Sequence, residues 1–192
     1  MKNHAKRIEP SCELIRYSIG NSVYLSLAQK ITMPYNKPNF KRMLALIDEV
    51  FTSRKDPGQL RVDEKVLKKL GKIHTACLSE HADENGPDVW ILLIPTTAKL
   101  MNEFLTEKIS EQELFEQTKP GEKYETIYLC SASTLPEYRG KGLTKKLALH
   151  AITSIKKDHD IKTLFVWPFT KEGEKLAERL GQETGLELKV RS

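Results

Sequence analysis

Residues 126–149 read TIYLCSASTLPEYRGKGLTKKLAL and change their hydrophobic period half-way. The stretch begins with a nearly continuous apolar run at 127–130, made of residue types that favour strands. From Leu143 onward, apolar residues recur at the spacing of one helix face. A proline-containing turn and the basic, glycine-rich segment 139–142 lie in between. The stretch therefore predicts a strand, a glycine-rich loop and a helix in succession.

This loop has the properties of a phosphate site. The first turn of a helix leaves backbone N–H groups unpaired, and the helix dipole adds partial positive charge there. Glycines let the backbone approach a ligand, and cations are supplied by Arg139, Lys141, Lys145 and Lys146. The sequence contains no GxxxxGK[ST] P-loop, and no GxGxxG follows the strand. The predicted phosphate site is therefore of another kind.

The segment 136–143, PEYRGKGL, resembles the acetyl-CoA pyrophosphate loop of the GNAT N-acetyltransferase superfamily, whose motif is Gln/Arg-x-x-Gly-x-Gly/Ala. Arg139 and Gly142 match the motif, and Thr144 stands where the family has Gly or Ala. The resemblance implies acetyl-CoA as cosubstrate. It also implies a set of binding residues, with the pantetheine arm on the strand and the pyrophosphate on the loop: Ala132, Ser133, Thr134, Arg139, Gly140, Lys141, Gly142, Leu143, Thr144 and Lys145.

The segments before this stretch predict helices followed by a hairpin. Amphipathic spacing predicts one helix over 40–51 and a second over 62–70, which ends at Gly71. The segment 35–38 is expected to be a loop that either lines a substrate pocket or only connects helices. Asn-Gly within 83–87 predicts a solvated turn between two strands, with His81 beside it. A capped helix from Thr96 or Thr97 to about 107 and a capping box at 110–113 follow.

After the central helix, residues 162–167 predict a second parallel strand. Thr170 is suited to cap a helix that ends at Gly181, and 186–190 alternates like a final strand. The expected fold is α/β, a GNAT-like mixed central sheet flanked by helices. We expect a single domain over 1–192, with a helical N-terminal region at 1–71 and the acetyl-CoA-binding core at 72–192.

The implied chemistry is direct attack of a primary amine on the thioester, with the backbone around Cys130 polarising its carbonyl group. Family members often carry a tyrosine on the last helix, four residues before the glycine that ends it, and a glutamate on the strand before that helix. With the helix predicted to end at Gly181, this chain has Ala177 and Phe165 at those positions. Glu125 is a candidate base, or simply an exposed charge at a strand end. Tyr128 is a candidate acid, or a packing residue. The catalytic residues stay unknown at this level.

The composition argues against a metal site, a membrane-spanning protein and nucleic acid as a partner. The three cysteines and five histidines show no metal-ligand spacing, so no metal site is expected. The longest apolar run, 89–94, is too short to span a bilayer, and no apolar core follows the basic start, so a cytoplasmic protein is expected. The net charge of +5 comes without a basic tract interleaved with aromatics, which does not favour nucleic acid as a partner.

Three functions stay open at this level. The first is an acetyl-CoA-dependent N-acetyltransferase that acts on an unidentified amine. The second is a catalytically inactive GNAT-like module that binds an acyl-CoA or a partner. The third is nucleic-acid binding by a basic helix face that carries Lys145, Lys146, Lys156 and Lys157. A homodimer is also left open.

Overall fold

The computed structural model describes residues 18–19, 22–23, 25–26, 37–54 and 57–191, with side chains described for 37–49 and 57–191. The strands are β1 (Ser18–Ile19), β2 (Ser22–Val23), β3 (Leu25–Ser26), β4 (Leu78–Asp83), β5 (Gly86–Thr96), β6 (Thr126–Thr134), β7 (Thr163–Val166) and β8 (Glu187–Val190). The helices are α1 (Pro38–Arg54), α2 (Glu64–Ile73), α3 (Ala98–Leu105), α4 (Glu111–Gln117), α5 (Leu143–Asp158) and α6 (Lys171–Thr184), with a 3₁₀ turn at Pro136–Tyr138.

The strands of the described ranges form one six-stranded sheet and one two-stranded sheet. The large sheet has the order β3-β4-β5-β6-β7-β8, and β1 pairs with β2. Neighbours from β3 to β6 run antiparallel, whereas β6, β7 and β8 run parallel. Parallel neighbours need long crossovers, which α5 and α6 provide. The predicted α/β class and mixed sheet are confirmed.

Helices cover both faces of the sheet. Helix α5 buries the predicted apolar stripe against the sheet: Leu147, Ala148, Ala151, Ile152 and Ile155. On the opposite face, the ring of Phe104 in α3 lies 5.0 Å from that of Tyr128 and 6.0 Å from that of Phe165. Because side chains alternate along a strand, Leu129 and Val166 point to the α5 face. None of the helices within 37–54 and 57–191 combines the length and apolar character that a membrane crossing requires.

The N-terminal region differs from the prediction. It was predicted to be mainly helical up to Gly71, but β1, β2 and β3 lie within it, and β3 pairs with β4 as an edge of the large sheet. These two-residue strands are too short to show an alternating pattern, so the sequence carries no signal for them. Residues 1–17 and 27–36 lie outside the described residues, and so does the first half of the predicted loop at 35–38.

Two helices pass through the glycines at which they were predicted to end. Helix α2 continues through Gly71 to Ile73, which is buried, and the N–H of His74 bonds to the Leu70 carbonyl. Helix α6 continues through Gly181 and ends at Gly185, whose φ of 67° is left-handed. Glycine at a helix end commonly adopts a left-handed conformation. Of Gly71, Gly181 and Gly185, only Gly185 does so.

The hairpin forms where predicted, but its surroundings are not all solvated. Strands β4 and β5 are joined by a turn at 84–85, and Gly86 has a φ of 106°. His81 is buried, and its Nδ1 lies 2.6 Å from Oδ1 of the fully buried Asp88. Burial raises the pKa of Asp88, while the hydrogen bond with His81 opposes that rise. The described residues contain no group of side chains that could hold a metal ion.

Candidate functional site

Strands β6 and β7 separate half-way along the sheet. Within the described chain, β7 is paired with β6 at Thr126, Ile127 and Tyr128, and this pairing does not extend further. On its other side, β6 stays paired with β5 as far as Thr134. Leu92 lies opposite Ser131 and Leu93 opposite Leu129, so Cys130 is the extra residue of a β-bulge. Beyond this last pair, a gap lies between β6 and the segment that follows β7, next to the bulge.

This gap is a mostly apolar cleft with a volume of about 120 Å³. Its walls come from β6, from the segment after β7 and from α6, and they include Leu129, Cys130, Ala132, Trp167, Phe169 and Ala177. The N–H of Leu135 bonds to the carbonyl of Asp88 on β5. Because backbone groups of successive strand residues point to opposite edges, those of Ala132 and Thr134 point away from β5, and Ala132 lines the cleft. The cleft thus offers the backbone groups of Ala132 to an extended ligand. Further along the same edge, the Thr134 carbonyl already accepts a hydrogen bond from Arg139, which leaves its N–H for a ligand.

The glycine-rich loop leads from β6 into α5. Gly140 and Gly142 have φ values of 75° and 72°, a left-handed conformation that other residues adopt at a cost. Gly142 is the N-cap of α5, and no side chain of the described residues caps the first turn. Residues 139–142 are exposed. The N–H groups of the first turn are therefore open to an anion.

Two contacts hold this loop against distant parts of the fold. Glu137 accepts hydrogen bonds of 2.6 and 2.9 Å from the two terminal nitrogens of Arg42 in α1. The hydroxyl of Tyr138 donates to the carboxylate of Asp83 at the hairpin. Sequence analysis did not identify Arg42 or Asp83, because 95 and 55 residues separate them from their partners. The loop is therefore positioned by α1 and by the β4–β5 hairpin.

If the loop binds acetyl-CoA, as the family resemblance implies, Arg42→Ala should weaken that binding about three- to tenfold, because the loop loses its bidentate anchor. The ion pair is exposed, so the midpoint of urea unfolding should change little. Calorimetric titration with acetyl-CoA measures the effect, and Arg61→Ala, an exposed arginine on a different segment, is the matched control. Equal affinity of the two variants would contradict an anchoring role for Arg42.

The predicted binding residues lie on one continuous strand, loop and helix start, and several of them also contact other side chains or backbone groups. The Oγ1 atoms of Thr144 and Thr134 lie 2.7 Å apart, so the threonine that departs from the motif ties α5 to β6. Lys145 Nζ lies 2.5 Å from Oε1 of Glu183 in α6, which offsets part of its charge. Arg139 donates from Nε to the Thr134 carbonyl at 3.1 Å.

The candidate acid and base have structural partners. The carboxylate of Glu125 accepts the Ala98 N–H at 3.0 Å, which places it at the start of α3. At about 3.3 Å per residue, Glu125 lies about 16 Å along β6 from Cys130. Tyr128 is fully buried, and its burial raises its pKa well above the ordinary value. Neither group faces the cleft as an exposed acid or base.

The residue that corresponds to the family's tyrosine depends on where α6 ends, and α6 ends later than predicted. Counting four residues back from Gly185, rather than from Gly181, gives Gly181 instead of Ala177. A Cβ added to Gly181 would lie 3.3 Å from that of Leu188, so β8 leaves little room there. Phe165, at the position of the family's glutamate, is fully buried. The chain therefore has no hydroxyl or carboxylate at either family position.

One buried carboxylate beside the bulge was missed by sequence analysis. Glu111, the first residue of α4, is only 3% exposed. Its Oε1 accepts a 2.8 Å hydrogen bond from the Tyr128 hydroxyl and lies 3.5 Å from the thiol sulfur of Cys130. Its Oε2 accepts the Leu60 N–H at 2.8 Å. An acidic residue in the first turn of a helix is common at surfaces, so the sequence carries no signal for this burial.

Solved structures that are similar to the chain include two acetyltransferases. One is a ribosomal-protein-alanine N-acetyltransferase from Brucella melitensis biovar Abortus 2308, with 11% identity, a TM-score of 0.42, and coverage of 84% of this chain and 91% of that one. The other is the aminoglycoside acetyltransferase meta-AAC0020 from an uncultured soil metagenomic sample, with 14% identity, a TM-score of 0.48, and coverage of 88% and 92%. Both are acetyltransferases. No protein-family model and no curated protein sequence matches the chain.

Proposed function

We propose that the protein is an acetyl-CoA-dependent N-acetyltransferase that transfers the acetyl group to a primary amine by direct attack on the thioester. The observation that supports this most directly is the separation of β6 and β7 beside the bulge at Cys130. It leaves one backbone edge of β6 uncovered as far as Thr134, which contacts the start of α5 through Thr144. A long ligand fits this arrangement if its amide-bearing arm lies along the uncovered edge of β6 and its anionic end lies at the start of α5.

In this proposal, the pantetheine arm lies in the cleft and forms strand-like hydrogen bonds with Ala132 and Thr134. Ser133 lies between them with its backbone groups directed to β5. The pyrophosphate lies on the loop from Arg139 to Lys145, where N–H groups and cations favour anions. The thioester carbonyl then lies at the bulge, where a backbone N–H of the Cys130 region polarises it.

A second candidate is a module that binds acyl-CoA without turnover. It is favoured by Ala177, Gly181 and Phe165, which leave the family's acid and glutamate positions without a functional group. Release of free CoA in the presence of a broad panel of primary amines separates the two candidates. CoA release that depends on the amine supports the enzyme, and tight acetyl-CoA binding without release supports the module.

The binding step is tested first with Arg139→Ala. This exposed arginine stands at the entrance of the loop, so its removal should weaken acetyl-CoA binding about tenfold through the loss of a charge-assisted contact. Calorimetric titration measures this affinity. Lys156→Ala removes one cation from the other end of α5 and is the matched control. An unchanged affinity in Arg139→Ala would contradict the placement of the pyrophosphate.

A further inference from the structure

A buried polar cluster lies directly behind the bulge, formed by Glu111, Tyr128 and Cys130. Tyr128 points to the sheet face that α3 covers, opposite to α5, as its contact with Phe104 indicates. The thiol of Cys130 also reaches the carboxylate of Glu111, while Cys130 itself is half-buried and lines the cleft. Cys130 therefore connects the cleft, where the thioester is expected, with a carboxylate that the cleft does not reach directly.

The carboxylate of Glu111 is held in place by hydrogen bonds. Three donors surround it: the Tyr128 hydroxyl, the Cys130 thiol and the Leu60 N–H. No lysine, arginine or histidine of the described residues forms a salt bridge with Glu111. Arg191 lies on the same face of the sheet, where its guanidinium stacks 4.3 Å from the ring of Phe104 and 4.4 Å from that of Trp167. Of the three donors to Glu111, the Cys130 thiol is the one that also lines the cleft.

We propose that Glu111 is the proton acceptor for the attacking amine and that the Cys130 thiol carries the proton to it. This inference rests on the proposed function. The substrate class that follows is a primary amine that is protonated at neutral pH. Because Glu111 belongs to α4, which lies between β5 and β6 in the chain, this helix supplies a reactive group in addition to covering the sheet.

Proton transfer from the substrate precedes its attack on the thioester. The ammonium group gives a proton to Sγ of Cys130 as the thiol passes its own proton to Oε1 of Glu111, which leaves a neutral amine. The amine nitrogen then forms a bond to the thioester carbon, and the carbon–sulfur bond breaks. The second amine proton goes to the departing CoA thiolate, so the products are an amide and free CoA. The proton on Glu111 returns to solvent through the same thiol.

The decisive comparison uses two nucleophiles of different basicity. An aliphatic primary amine such as ethylamine is protonated at pH 7.5 and must lose a proton before attack, whereas hydroxylamine is already neutral. In Glu111→Gln, CoA release with ethylamine should fall about 100-fold, and release with hydroxylamine by less than about threefold. A merely structural role for Glu111 would lower both rates equally. Each rate is corrected for the uncatalysed reaction.

A second pair of variants leaves the carboxylate in place. Cys130→Ala removes the relay atom and should reproduce the selective loss with ethylamine, whereas Cys130→Ser keeps a donor and acceptor and should restore most of the rate. Equal rates for the alanine and serine variants would overturn the relay, including in the case that Glu111→Gln does not fold.

The outcomes also separate this inference from the proposed function. If the wild type does not bind acetyl-CoA, both fail. If it binds acetyl-CoA but releases no CoA with either nucleophile, the relay is wrong and the inactive module is favoured. If it acetylates both nucleophiles and Glu111→Gln has no selective effect, the transferase stands and the relay fails.

Discussion

Replacing Phe104 by alanine should lower the free energy of unfolding by about 3–5 kcal/mol. The ring is fully buried and lies 5.0 to 6.1 Å from three aromatic rings, those of Tyr128, Phe165 and Trp167. It also carries the guanidinium of Arg191. Truncation leaves a cavity between α3 and the sheet and removes one side of the arginine stack. Urea unfolding followed by circular dichroism measures the loss.

The neighbouring residue provides the control for this prediction. Leu105 lies on the same helix but is only partly buried, so Leu105→Ala should cost clearly less. A loss below about 1 kcal/mol in Phe104→Ala would mean that α3 can collapse onto the sheet after truncation. In that case α3 would not be a rigid cover for the face that carries Tyr128.

The second large effect is expected at the cleft. Ala177 is 2% exposed and lines the cleft on the α6 side. Phenylalanine at this position should fill the space between α6 and β6 and weaken acetyl-CoA binding at least about 100-fold, equivalent to about 2.7 kcal/mol. The folded state should persist, because the new ring enters an existing cavity of about 120 Å³ instead of a close-packed core.

Calorimetric titration with acetyl-CoA, paired with urea unfolding, checks this prediction. Glu178→Phe introduces the same ring one residue further along α6, at an exposed position, and should leave affinity unchanged. Full acetyl-CoA affinity in a folded Ala177→Phe protein would place the cofactor elsewhere. Loss of affinity in both variants would point to a general disturbance of α6.

Local chemistry was enough to predict most of the elements. The change of period in 126–149 yields β6, the loop and α5, because strand and helix bury side chains at different spacings. Thr97 and Thr170 cap α3 and α6, and Ser110 and Glu113 form the predicted capping box of α4. These interactions span three residues or fewer, so a short window of sequence contains both partners.

Helix ends marked by glycine alone were predicted wrongly. Gly71 and Gly181 continue their helices because the apolar faces continue beyond them, to Ile73 and to the contact with β8. Burial of a helix face outweighs the modest cost of a glycine in the helix interior. A prediction from the local sequence, which includes the glycine but not the contact with the neighbouring strand, therefore places the helix end too early.

The candidate site itself depends on contacts between segments that are far apart in the chain. The Leu60 N–H reaches Glu111 across 51 residues, and Arg42 reaches Glu137 across 95. The bulge at Cys130 exists because the register of β6 against β5 shifts by one residue there. Local periodicity carries no information about register or about which distant polar group meets a buried carboxylate. The loop and its helix could therefore be predicted from neighbouring residues, whereas the cleft and the environment of Glu111 arise only when the sheet and the helices pack together.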